Sequence, residues 1–189
     1  MKKVVIIGAS GSLAEYVIDA LKQQPEVELT LFARNKNRIS HAEKTTVIEG
    51  DALNFEDVKT AVSGQEIVYV NLAGNLDAMS KNIIKAMKEE GVQRVIAISS
   101  IGIFDEPVKA ILKPYRALSD NFENSGLNYT ILRPDWFTNA NEVDYSITQK
   151  GSPEKGSAIS RKSIAAFVAS LVQNPELHKK ENLGISKPD

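Results

Sequence analysis

Six short apolar runs, rich in β-branched residues, recur along the 189-residue chain: KVVIIG to Gly8, ELTLFA to Ala33, TTVIEG to Gly50, EIVYVNLAG to Gly74, RVIAISS to Ser100 and NYTILRP to Pro134. The runs are continuous rather than alternating, which suits strands buried on both faces, and a sheet buried on both faces is characteristically parallel. Between most of them the apolar residues take helical spacing, as in Leu13, Val17 and Leu21 or Ile83, Ile84 and Met87. Parallel strands need crossovers, and right-handed crossovers put helices on both faces. The expected fold is therefore α/β, a doubly wound parallel sheet with strand order 3-2-1-4-5-6. The length suits one domain over residues 1–189, with substrate-side loops and a C-terminal helix within residues 135–189 forming a small extension.

Charge narrows the partners. Lys and Arg total 23 against 24 Asp and Glu, a formal charge of -1. That balance gives no general attraction to nucleic acid or an anionic membrane, so any phosphate site has to be local. There is no cysteine, and His41 and His178 are the only histidines. Disulfides, a thiol nucleophile and a Cys-based metal site are excluded on that count, two histidines argue against a His-rich one, and no metal is expected. The first apolar run ends at Gly8, too short for a signal segment or a membrane span, so the expected location is cytoplasmic.

Where the first run ends, GASGSLA places Gly8, Gly11 and Ala14 three residues apart at a strand-to-helix junction. Gly8 permits a tight turn, Gly11 lets a pyrophosphate come close, and Ala14 lets helix and strand pack. The helix N-terminus offers free N–H groups and partial positive charge, with Ser10 and Ser12 as added hydroxyl donors. The competing explanation is an ordinary βα turn that happens to be rich in glycine. Its place after the first strand of a βαβ chain favours the nucleotide.

The second run identifies the nucleotide. Sites for NAD usually end this strand in Asp or Glu, which accepts hydrogen bonds from the ribose hydroxyls. Here LFARNKNR puts Arg34 at that place, with Lys36 and Arg38 following. A guanidinium binds a 2′-phosphate that an acid would repel, so NADP is the expected cofactor, against the alternative of a solvated basic loop. Asp51, after the third run, is placed to accept from the adenine amino group, although Asp is also common in such turns for local reasons.

In this order GASGSLA, FARN, EGDALN, NLAG, VIAISS and SGLNYTILRP resemble an atypical short-chain dehydrogenase/reductase of the NmrA-like, NAD(P)-binding group that includes flavin- and biliverdin-reducing enzymes. The resemblance runs from Lys3 to about Pro188 and implies a Rossmann fold. It also implies that Gly8, Ser10, Gly11, Ser12, Leu13, Arg34, Asp51, Ala52 and Leu53 hold the nucleotide. Asn71 to Gly74, including Leu72 and Ala73, would pass along the cofactor; Ser99 and Pro134 would line the nicotinamide pocket. Ser100 and Tyr115 take the positions of catalytic residues.

The family pattern breaks at its chemistry. Tyr115 stands where the family tyrosine would be, but the position four later is Ser119 rather than lysine. That lysine holds the nicotinamide ribose and, by its charge, makes the phenol an effective proton exchanger near neutrality. Lys113 and Arg116 are close in sequence, but not at the spacing that shares a helix face with Tyr115. Tyr115 is either a neutral hydroxyl in the site or an aromatic packed on the sheet, and alcohol oxidation and simple ketone reduction become disfavoured. Hydride transfer to a flavin or quinone survives the loss, because solvent can protonate the delocalised product and the protein has mainly to hold the acceptor. Trp136, Phe137 and Tyr145 are candidates for a stacking surface. The alternative function is a redox sensor that binds NADP(H) without turnover. The expected partner is a small-molecule acceptor; its identity and the oligomeric state are left open.

Two C-terminal segments complete the expectations. Residues 135–160, with QKGSPEKGS, suit a mobile cap beside the sheet. ISRKSIAAFVASLVQNPE suits a helix capped by Ser160 with an apolar stripe of Ile164, Phe167, Val168 and Leu171, and NLGIS suits a last short strand.

Overall fold

The computed structural model describes all 189 residues, Met1 to Asp189. The chain alternates β1 (Lys2–Ile7), α1 (Ser12–Lys22), β2 (Val27–Ala33), β3 (Thr46–Glu49), α2 (Phe55–Val62), β4 (Ile67–Val70), α3 (Leu76–Glu90), β5 (Arg94–Ile98), α4 (Lys113–Glu123) and β6 (Asn128–Pro134). It continues through β7 (Phe137–Thr138), β8 (Ser146–Gln149), β9 (Ile159–Ser160), α5 (Arg161–Gln173) and β10 (Glu181–Ser186). The main sheet has eight strands in the order β3-β2-β1-β4-β5-β6-β10-β8, so the predicted order 3-2-1-4-5-6 holds and is extended by two strands. This is the Rossmann architecture, parallel except at its far edge, where β8 runs antiparallel to β10.

The continuity of the apolar runs has a direct structural cause. Along β1, Val4 and Ile6 pack against the layer of α1 and α5, while Val5 and Ile7 pack against α2, α3 and α4. Both faces need apolar residues, so no polar alternation survives. Helix starts follow from local caps: Asn54 Oδ1 accepts from Asp57 N, Asn75 Oδ1 from Ala78 N and Ser160 Oγ from Ser163 N. Gly91 ends α3 in the left-handed conformation, φ 72°.

The segment between Asp135 and Ser160 differs from the expected cap. It contributes β8 to the main sheet and pairs β7 with β9 in a separate two-stranded sheet. Helix α5 starts at Ser160 as expected and buries Ile164, Phe167, Val168 and Leu171. It lies along α1 in the same layer, and Gln24 Nε2, just after α1, donates to Ala169 O of α5 at 2.8 Å. NLGIS forms β10, inserted parallel to β6.

Candidate functional site

The C-terminal ends of the parallel strands open into one cavity of about 1200 Å³. Its position follows the general rule for open parallel sheets, in which ligands lie beyond the carboxyl ends of the strands at the switch in winding, here between β1 and β4. Of the residues named from sequence, Gly8, Ser10, Gly11, Ser12, Leu13, Arg34, Asp51, Ala52, Leu53, Leu72, Ala73, Gly74, Ser99, Ser100, Tyr115 and Pro134 contribute to its lining.

At the β1 end the turn is built by backbone. Gly8 has φ 95°, and a Cβ there would sit 2.0 Å from Asn71 O on the next strand, so only glycine fits. Its N–H and that of Ala9 both donate to Phe32 O at 3.0 Å, and Asn71 N donates to Ile7 O at 2.9 Å. Gly11 is a different case. A Cβ on it would meet Gly8 O at 3.5 Å and Asn71 Nδ2 at 3.9 Å, ordinary contacts. The protein has room for a side chain at Gly11, so no contact within the chain requires glycine there. No side chain caps α1 or α4, whereas α2, α3 and α5 are capped. The first-turn N–H groups of α1 have no side-chain acceptor and, unlike those of α4, face the room above Gly11, an arrangement that fits a pyrophosphate. Ala14, fully buried, closes helix onto strand.

Arg34 extends from the end of β2 into the lining; it is exposed and has no hydrogen-bond or ion-pair partner within the chain. Asp51 uses Oδ1 to accept from Leu53 N at 2.9 Å, an Asx turn, with its second oxygen uncommitted. Lys36 and Arg38 form a short 3₁₀ turn outside the cavity.

At the β5 end the side chains are largely committed or exposed. Ser99 Oγ donates to Tyr115 O and Ser100 Oγ to Ile101 O, both at 3.0 Å. Tyr115 is half-buried and borders the cavity. Ser119, four residues on, turns away from it: fully buried, it accepts from Asn182 Nδ2 at 2.8 Å. Asn182 also binds Glu123 Oε1 and Arg133, whose Nε donates to Glu154 Oε1 at 2.8 Å. The family's lysine position is thus part of an interior polar network. Arg116 is held by both oxygens of Asp120 and by Ile103 O, and Lys113 lies outside the lining.

Of the three aromatics expected to stack, Trp136 and Phe137 border the cavity, Trp136 with 83% of its surface exposed. Tyr145 does not. It packs on Phe167 in the α1–α5 layer, ring centres 5.4 Å apart, because β8 belongs to the sheet and draws the residue before it into the core. The lining also contains residues the sequence reading did not single out: Lys109 and Ile111 before α4, and Arg161 at the start of α5. Nothing in local sequence signals them, since each reaches the site through the fold.

Comparison with known proteins agrees with this geometry. A family model described as NAD(P)H-binding matches residues 8–175. A Rossmann-fold NAD(P)-binding family protein from Shigella flexneri is 42% identical, with TM-score 0.91 over all of this chain and 94% of that one. A short-chain dehydrogenase/reductase from Veillonella parvula, solved in complex with NADP, is 26% identical, with TM-score 0.89 over 99% of this chain and 95% of that one. An isoflavone reductase homolog from Nicotiana tabacum is 28% identical over 151 residues, 71% of this chain and 48% of that protein. The chain spans about half the length of the curated relatives it matches.

Proposed function

The chain belongs to the NAD(P)H-binding family, and we propose that it is an NADP(H)-dependent oxidoreductase whose acceptor is a flat molecule such as a flavin or quinone. The observation that carries this reading is the single cavity, which joins the Gly8–Leu13 junction to a second, aromatic-edged end at Tyr115 and Trp136. A volume of about 1200 Å³ exceeds the roughly 300–1,000 Å³ of a usual small-molecule site, which suits a dinucleotide with a second ligand beside it. When bound, the dinucleotide supplies the hydride.

The chain's own groups divide the remaining work. The unpaired guanidinium of Arg34 at the end of β2 supports NADP over NAD, since a 2′-phosphate gives it charge-assisted hydrogen bonds that a ribose hydroxyl cannot match. Asp51 offers one oxygen on the adenine side. Tyr115 and Ser100 border the space between the cofactor and acceptor ends, where Tyr115 orients the acceptor by contact and its hydroxyl. Trp136 and Ile111, 78% exposed, offer apolar surface to a planar ring. The placement of Ser119 in the interior network supports a chemistry that does not rely on a tyrosine–lysine pair, because solvent protonates a reduced flavin or quinone.

The same placement is compatible with the second reading, a sensor that takes up NADP(H) and leaves it unchanged. Following NADPH absorbance with flavin mononucleotide or a soluble benzoquinone as acceptor separates the two. Steady consumption is expected; tight binding without consumption for either acceptor would overturn the enzyme reading in favour of the sensor.

A further inference from the structure

Arg161 stands 149 residues from Ser12, yet its Nε donates to Ser12 Oγ at 3.3 Å. Its Nη1 donates to Asn139 Oδ1 at 2.8 Å, and the guanidinium lies over the Phe137 ring, 5.2 Å from its centre. Both hydrogen-bond partners are neutral, and the charge has no carboxylate paired with it. The next residue, Lys162, turns to Asn141 instead. A guanidinium has five N–H donors, and these two contacts leave most of them uncommitted. The residue forms part of the cavity wall beside the Gly8–Leu13 junction, where Gly11 leaves open space and the first turn of α1 is uncapped.

We propose that Arg161 is a second anchor for the dinucleotide pyrophosphate, so that the phosphate bridge is held by backbone N–H groups of α1 on one side and by a guanidinium from α5 on the other. The inference rests on assigning Gly8–Leu13 to the pyrophosphate. A helix N-terminus carries roughly half a positive charge, and a pyrophosphate brings about two negative ones, so a fixed cation beside the turn supplies what the backbone lacks. The planar fork of arginine matches two phosphate oxygens, and the Phe137 face holds that plane before the ligand arrives. Since the pyrophosphate is common to NADPH and NADH, Arg161 acts on both, unlike Arg34.

Titration calorimetry with NADPH and with NADH tests this on Arg161→Gln. Affinity for both is expected to fall alike, by about 10- to 100-fold, the size of one or two lost charge-assisted hydrogen bonds. Arg161→Lys should recover part of the loss. Asn139→Ala removes the Nη1 partner and keeps the charge, and should bind NADPH within about twofold of the parent, a change small against the energy of one such bond. Unchanged affinity in Arg161→Gln overturns the proposal. So does an Asn139→Ala loss as large as that of Arg161→Gln, which would make Arg161 a tie between α1 and the loop after β7. If Gly11→Val also binds NADPH normally, the pyrophosphate assignment itself is wrong; if Gly11→Val abolishes binding while Arg161→Gln does not, only the second anchor fails.

Discussion

At the β1–β3 end of the cavity the turn is backbone and glycine locked by strand hydrogen bonds, with Arg34 reaching in; at the β5–β6 end the wall is large side chains on the connecting segments, Lys109, Ile111 and Trp136, with few partners of their own. The backbone of the first end is fixed by strand hydrogen bonds. Gly8 touches the neighbouring strand and Ala14 is fully buried; the freedom is in the space above Gly11 and in the exposed side chain of Arg34. The second end has surface but little fixed polarity, since the hydroxyls of Ser99 and Ser100 are spent on carbonyl oxygens. A dinucleotide of fixed shape can be met by rigid backbone, whereas an acceptor is selected by side chains that differ from one protein to the next.

The largest effect is expected where backbone alone makes the contact. Gly11→Val should reduce NADPH affinity by more than about 100-fold, because the branched side chain occupies the space of the pyrophosphate. The fold should persist, as a Cβ there meets its neighbours at 3.5 Å and beyond and Gly11 has φ -74°. Calorimetry together with circular dichroism checks both halves. Normal binding by a folded variant would break the comparison at its first term.

Arg34→Ala comes next. The lost charge-assisted contact is worth about 1.5–3 kcal/mol, some 10- to 100-fold in NADPH affinity, with NADH affinity little changed. The asymmetry is the diagnostic: equal affinities of the unmutated protein for the two nucleotides would remove Arg34 from the site and return it to the solvent.

At the other end the expected loss is smaller. Tyr115→Phe should lower NADPH-dependent reduction of a flavin or quinone by less than about 10-fold, against the 10²–10⁴-fold usual for general acid–base help. The reason is the interior position of Ser119, which leaves no cation four residues from the phenol. A loss of the full acid–base size with NADPH affinity unchanged would show that another cation of the lining, such as Lys109, does the work of the missing lysine, and would reinstate carbonyl reduction.

The same division explains what could be read before the structure. Strand order and the turn at Gly8, Gly11 and Ala14 are written locally: a double-faced strand must be continuously apolar, and a tight junction must use small residues. Arg34 is legible because it follows its strand directly. Arg161 is not, because only the packing of α5 on α1 brings it to Ser12. Tyr145 shows the converse, being near Trp136 in sequence but packed against the α1–α5 layer beside β8. The residues of β8, SITQ, carry too little apolar pattern to distinguish an edge strand from a loop.

The smallest expected effect lies in the β2–β3 connection, on the nucleotide half but outside the cavity. His41 Nδ1 lies 2.5 Å from Asp19 Oδ1 and its Nε2 3.5 Å from Glu15 on α1. The hydrogen bond to Asp19 and the charges of Asp19, Glu15 and Glu43 raise the imidazole above its ordinary value. A raised folded-state value means the pairing stabilises fully below the unfolded pKa of about 6.5 and fades as pH climbs through the folded value. His41→Asn tolerates the left-handed backbone there, φ 59°. It should therefore lower the melting temperature slightly at about pH 6 and less at about pH 9. The groups are well exposed, so added salt should shrink the difference further. NADPH affinity should not follow the substitution at either pH. If it did, the β2–β3 connection would be part of the nucleotide site, and the rigid end of the cavity would extend beyond the strand ends that form its wall.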